Sequence, residues 1–325
     1  MPDTNVASDS TLGIAAAGVV WSIDVPASGD TPGWTWSHLD LVNGQSRVDV
    51  GADEYWPPAV RRLLTGQDET PRVVVHDNVV CGVLPSYPRD GGADDYELVY
   101  WRFAATADRV TTLRRHPARS VAAGYHASTG SSPPREPSGL IFACIADFSR
   151  AARVRLTTLS DELDAIEDKL LDHNASGINA TTAGLIGQIR REAIVVKRAL
   201  TPVSRTLDES EEELPALWHG PELDPTHSAV MGVLDDIAAL NERARSLQDE
   251  LSSRLADETN RRLYIVSLVT TLVIPATFVT GFFGMNTGGL LWSGEDAHYG
   301  TVYAGITCVA AVLLMLAVMK HKRLL

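Results

Sequence analysis

From Leu263 to Gly294 the chain carries no charged side chain. Leu263 to Phe283 alone makes 21 residues, about 31 Å as a helix, which matches a hydrocarbon core of roughly 30 Å. A second uncharged run, Val302 to Met319, has 18 residues and lies near the lower limit for a membrane span. The alternative is a pair of buried helices in a large soluble core. Both runs exceed the usual length of a core segment and both have charged flanks, which favours spans. The apolar segment LGIAAAGVV at positions 12–20 is shorter and has no basic flank, so it does not read as a signal peptide.

The basic flanks orient the pair. Arg261 and Arg262 precede the first run, and Lys320, Lys322 and Arg323 follow the second. The connecting loop, 284–301, carries only Glu295 and Asp296 as charges. Cytoplasmic flanks collect Lys and Arg, so both termini are expected in the cytoplasm and the loop outside, in a multi-pass protein of the cytoplasmic membrane.

Charge is uneven along the chain. Five of the 28 basic and two of the 41 acidic side chains lie beyond position 260, which leaves residues 1–260 at a net −16. Such a domain repels nucleic acid and attracts cations. Cys81, Cys144 and Cys308 have no metal-type spacing and read as buried thiols of a reduced compartment. The chain has no phosphate-binding loop, no paired catalytic carboxylates and no nucleophile–His–Asp arrangement. It is therefore read as a non-enzyme without a tightly bound cofactor.

Ahead of the apolar runs the pattern changes twice. Residues 1–18, which open with the polar run MPDTNVASDS, read as disordered. Residues 19–139 carry β-type runs, Val19–Val25, Arg72–Val75, Val79–Leu84 and Tyr96–Ala105, interrupted by a short helix at Pro57–Leu64. Asp77-Asn78 suits a tight hairpin, and Gly130–Gly139 (GSSPPREPSG) reads as a linker. From 140 to 262 the chain is helical: Leu140–Asp172, then a loop at Asn174–Thr182, then Leu185–Thr206. The last stretch places Val230, Leu234, Ile237, Leu240, Ala244, Leu247, Leu251 and Leu255 on a heptad-like seam. No Pro or Gly interrupts it between Val233 and Ile274, so a single helix of about 76 Å is expected to run from Val233 through a cytoplasmic stalk into the first span and to end at Phe283.

A helix-period walk along that span gives Asn260, Leu263, Ser267, Thr270, Ile274, Thr277, Gly281 and Gly284. Small and hydroxyl residues concentrate there, while Leu268, Leu272, Val273, Phe278 and Phe282 lie off it. Such a stripe serves either packing between membrane helices or a pore. One stripe on one chain lines a pore only when several copies surround an axis. Leu263 and Ile274, on the same stripe, are candidates for an apolar constriction that gates by dewetting.

The segment TTLVIPATFVTGFFGMN resembles the first membrane helix of the CorA family of divalent-cation transporters, whose signature is Gly-Met-Asn after a span containing threonine and proline. Here those residues are Gly284, Met285 and Asn286, after Pro275-Ala276-Thr277-Phe278. WTWSHLDL, ADRVTTLRRHPARSV, QIRREAIVVKRALTPV and the TGG after the motif are similar to the ZntB, zinc-transporting, branch. The acidic Met-Pro-Glu element typical of the magnesium branch is missing, and Leu291 stands where a proline is common. The resemblance implies an α/β cytoplasmic domain followed by long helices and two C-terminal transmembrane helices, assembled as a funnel-shaped homopentamer around a central pore. It also implies a ring of Asn286 at the outer mouth, with rings of Thr277 and Asn260 deeper in.

The chemistry agrees with that implication. A small divalent cation sheds water reluctantly, so neutral amide oxygens can hold it through its hydration shell. An asparagine at the mouth also avoids the cost of an intramembrane charge. Asn286 suits a helix C-cap as well, and both roles are compatible. The resemblance implies Zn²⁺ as the transported ion, with proton coupling carried over from the branch; a Mg²⁺, Co²⁺ or Ni²⁺ channel of the same fold is the alternative. A non-conducting membrane sensor or scaffold is the reading from another class.

Further donors stand outside the span. Glu295, Asp296 and His298 can gather cations at the entrance, or serve as solvated loop charges. His219, Glu222, Asp224 and His227 (HGPELDPTH) hold donors of the kind zinc takes, without diagnostic spacing. Asp249, Asp257 and Glu258 on the stalk read first as a polar helix face.

Overall fold

The computed structural model describes residues 18–27, 31–90, 97–131, 133–171, 180–208, 215, 218, 220–283 and 300–322. The N-terminal part begins with strands β1 (Val19–Val25) and β2 (Trp34–Asp40), followed by helices α1 (Gly44–Ala52) and α2 (Pro58–Thr65). Strands β3 (Arg72–His76), β4 (Val79–Ser86), β5 (Val99–Ala105) and β6 (Arg109–Arg114) come next, then α3 (Arg119–Thr129). The rest is helical: α4 (Pro137–Leu171), α5 (Ala180–Asp208), α6 (Leu223–Phe283) and α7 (Gly300–His321).

The six strands form one sheet in the order β1-β2-β6-β5-β4-β3. All neighbours are antiparallel except β2 and β6, which run parallel because α1, α2 and three strands intervene between them. The hairpin at Asp77-Asn78 is present. Both residues have positive φ, 49° and 66°, the backbone that a two-residue type I′ turn requires and that Asp and Asn tolerate. β2, β6, α1 and α3 are not separately legible in the sequence, where short runs between helices lack a clear period.

Every residue of β4 is buried, which follows from helices covering both faces of the sheet. On one face Cys81, Ala104, Leu113 and Leu39 pack with Trp56, Val60 and Leu64 from α2 and its approach. On the other, Leu84 and Trp101 meet Cys144 and Phe148 of α4 and Leu200 and Val203 of α5. Gly82 is needed there: a β-carbon would come within 2.3 Å of Arg72 O and 2.9 Å of Phe103 Cε1. Trp218, 1% exposed, stacks on Phe103 and meets Phe142 edge-on, so this residue ahead of α6 is held in the core. Burial pushes the Cys81 thiol up to about 11 and raises Cys144 further, so both are unreactive packing groups.

The chain divides into two compact units, Met1–Gln248 and Asp249–Leu325. Within the first, α4, α5 and the start of α6 pack by regular seams. In α4 these are Leu156, Leu159, Leu163, Ile166 and Leu170, and in α5 Ile186, Ile189, Ala193, Val196, Leu200 and Val203. In α6 the buried positions are Val230, Val233, Ile237, Leu240, Ala244 and Leu247. This corrects one register position. Val233 is fully buried and Leu234 only half-buried, because alternating steps of three and four keep a seam on one side, whereas two successive threes rotate it away. Leu255, also expected on the seam, is half-exposed.

Polar pairs fix the helices laterally. Arg155 Nε and Nη2 donate to the Glu192 carboxylate at 2.5 and 2.9 Å, largely shielded from water, and join α4 to α5. Arg153 reaches Asp236, and Arg243 reaches Asp164 and Glu167, joining α4 to α6 in parallel. α5 begins at Ala180 and α4 at Pro137, earlier than the sequence suggests, since packing of the following turns extends each helix back into residues of weak propensity.

His38 is buried beneath the Trp21 ring, with Nδ1 2.7 Å from Thr112 Oγ1. Burial, and then Arg114, lower its pKa to about 3. The unfolded chain takes up this proton near pH 6.5 and the native state does not, so stability is lost as pH falls from 6.5 towards 3. Replacement His38→Gln is expected to flatten that part of a pH-dependent unfolding curve. Separately, Leu163→Ala in the seam should cost about 2–5 kcal/mol of stability. Leu234→Ala should cost clearly less, as read by thermal unfolding of the detergent-solubilised chain.

Candidate cation pathway

α6 is helical without a break over 61 residues, with Pro275 inside it. Among the described residues it is the one helix long and apolar enough to cross a membrane. The apolar stretch of α7, Gly305–His321, is shorter than that length. Threonine hydroxyls in the apolar part of α6 are satisfied by the helix itself. Thr270 donates to Val266 O, Thr271 to Ser267 O, Thr277 to Val273 O and Thr280 to Thr277 O, at 2.7–3.0 Å. This lets hydroxyls enter an apolar environment without unpaired donors and leaves their oxygens as acceptors.

In the second unit the two helices differ in exposure around their circumference. On α6 the half-buried positions are Leu268, Thr271, Leu272, Pro275, Ala276 and Val279. On α7 the more buried positions are Cys308, Ala311, Val312, Met315, Leu316 and Met319. Cys308 Sγ lies 3.9 Å from Ala276 O, where these two faces meet.

Asn260, Leu263, Ser267, Thr270, Ile274, Thr277 and Gly281 are all exposed and lie within about 100° of the α6 circumference, away from the face that meets α7. The helix thus separates the stripe from the intrachain packing face, a distinction that residue spacing leaves open. Leu263 and Ile274 are each 59% exposed, and a β-carbon on Gly281 would meet no atom within 4 Å. Val266, Val269, Val273, Phe278 and Phe282 add further exposed apolar surface, as do Ile306, Val309, Leu313 and Leu314 on α7. So much contiguous apolar surface calls for lipid or other protein against it.

Gly284, Met285, Asn286, Glu295, Asp296 and His298 lie outside the described residues, and so does His219. On the lower part of α6 Glu258 is engaged by Arg262 at 2.5 Å, one turn along the same helix, while Asp249 and Asp257 are exposed. His227 Nε2 lies 3.8 Å from Asp208 Oδ1, which draws it toward α5. Among the described residues no three His, Cys, Asp or Glu side chains come together as a metal site.

The CorA-like Mg2+ transporter protein family model matches residues 32–323. The zinc transport protein ZntB of Yersinia enterocolitica is 24% identical over 310 residues, covering 93% of this chain and 90% of that protein. The solved structure of full-length CmaX superposes with a TM-score of 0.75 at 20% identity, covering 96% of this chain and 100% of that one. The CorA magnesium transporter of Methanocaldococcus jannaschii gives a TM-score of 0.69 at 14% identity, over 95% and 98% of the two chains. The chain belongs to the CorA-like family and has its fold.

Proposed function

We propose that this CorA-family chain moves divalent cations across the cytoplasmic membrane, with Zn²⁺ uptake as its specific activity. The carrying observation is the exposed stripe on α6, rich in small and hydroxyl residues and turned away from α7. Five copies arranged with these stripes inward enclose a path lined by neutral oxygens and two apolar rings. α6 supplies the first span and α7 the second, and the basic flanks place both termini in the cytoplasm.

Each residue type then has a task. Asn286 receives the hydrated ion at the outer mouth, where amide oxygens replace part of the bulk water around it. Thr277 offers hydroxyl oxygen deeper in, its proton already committed to Val273 O. Asn260 forms the inner ring, and Leu263 and Ile274 close the path when their rings exclude water. Conduction through neutral donors is fast because no site holds the ion tightly.

Zinc is favoured by the ZntB relative and by TGG in place of an acidic element after Gly-Met-Asn. The magnesium transporter with the same fold favours Mg²⁺ as the second reading. Leu263–Phe283 and Val302–Met319 contain no Asp, Glu, His or Lys, so any coupled proton travels with water rather than on one of these side chains.

Uptake into proteoliposomes loaded with a zinc indicator tests the proposal, with Mg²⁺ as competitor. Asn286→Ala is expected to lower zinc uptake by about tenfold or more, equivalent to ~1.4 kcal/mol or more in the barrier, with smaller losses for Thr277→Ala. Mg²⁺ flux with little zinc uptake would assign the second reading. Silence of the wild type to every divalent ion would leave a sensor or scaffold.

A further inference from the structure

Three oxygen atoms converge beside Gly220, in the first unit and apart from the apolar stripe. A β-carbon placed on Gly220 would lie 3.2 Å from Glu222 Oε2, 3.7 Å from Glu136 Oε2 and 3.7 Å from Ser138 Oγ. The three belong to different parts of the chain. Glu136 and Ser138 flank the start of α4, and Glu222 immediately precedes α6.

These oxygens are not spent on capping the helices. Gly139 N donates to the backbone carbonyl of Glu136, Leu223 N to that of Gly220 and Thr226 N to that of Glu222. Among the described residues neither carboxylate has a hydrogen bond or a basic partner. Ser138 is 1% exposed, and its Oγ has no partner among the described residues although it lies at the convergence point. A buried hydroxyl without a partner is destabilising, and two carboxylates lie beside it with no basic partner among the described residues. A cation relieves both.

The surroundings hold this geometry in place. Trp218 is sunk between Phe103 and Phe142 two residues before Gly220, and Trp34 Nε1 donates to Arg135 O one residue before Glu136. Glu222 also lies beside the first turn of α4, where a β-carbon on Gly139 would stand 3.8 Å from Glu222 Oε1, an ordinary contact distance. Glu222 is exposed and Glu136 half-buried, so solvent reaches the point and can complete a coordination shell.

We propose that Glu136, Glu222 and Ser138 form a divalent-cation site that ties the start of α6 to the start of α4. The donors are two carboxylates and a hydroxyl. Hard oxygen donors of this kind take Mg²⁺, Mn²⁺ or Ca²⁺, the remaining positions being filled by water, in contrast to the nitrogen and sulfur donors that zinc selects. The site is independent of the transport reading, since it uses no residue of the stripe. With so few protein ligands its dissociation constant is on the order of 10⁻⁴–10⁻³ M.

Mn²⁺ is the probe, titrated into the purified full-length chain in detergent and counted by the loss of the free-ion paramagnetic resonance signal. Two variants remove the site by different means. Gly220→Ala places a methyl group at the convergence point while keeping both charges, and Gly220 does not have a positive φ that would bar it. The double variant Glu136→Gln, Glu222→Gln keeps the volume and removes the charge. Wild type should bind one more Mn²⁺ per chain than either variant, or bind it at least about tenfold more tightly, and Mg²⁺ should displace it. Equal stoichiometry and affinity in wild type and either folded variant would overturn the proposal and leave two solvated carboxylates at helix starts.

Discussion

The arrangement of the second unit rests on the need of a long apolar helix to satisfy its backbone internally. α6 meets this with an unbroken run from Leu223 to Phe283, and its threonines return their hydroxyl protons to the preceding turn. Pro275 removes one amide donor without ending the helix. The same helix therefore carries a heptad seam at one end and a lipid-length apolar segment at the other. What differs between those ends is the side chains, not the backbone.

Packing then assigns the faces. In the first unit, steps of three and four put Val233, Ile237 and Leu240 against neighbours, and ion pairs such as Arg155–Glu192 fix how the helices sit sideways. In the second, α7 takes the side of α6 that carries Leu272 and Ala276, which leaves Thr270, Thr277 and Gly281 on the other. A face of hydroxyls and glycine is poorly suited to lipid and well suited to close approach or to water. The proposed pore and the proposed oligomer thus draw on one asymmetry.

Two kinds of cation chemistry are proposed here for different parts of the chain. The stripe offers neutral oxygens, which suit an ion that must leave again. Gly220 sits where two carboxylates and a hydroxyl converge, which suits an ion that stays longer. The sequence marks Glu222 as a donor through HGPELDPTH, yet groups it with His227, which instead turns to Asp208. Glu136 and Ser138 lie 80 or more positions away, and no local pattern connects them to it.

Apolar length, basic flanks and the unbroken helix are written in the order of residues, because each depends on neighbours within a few turns. The hairpin at Asp77-Asn78 is legible for the same reason. The parallel pairing of β2 with β6, the choice of Val233 over Leu234, the side of α6 that meets α7 and the convergence at Gly220 are different. Each depends on contacts between segments distant in the chain, and their energy is set by three-dimensional packing rather than by spacing along the sequence.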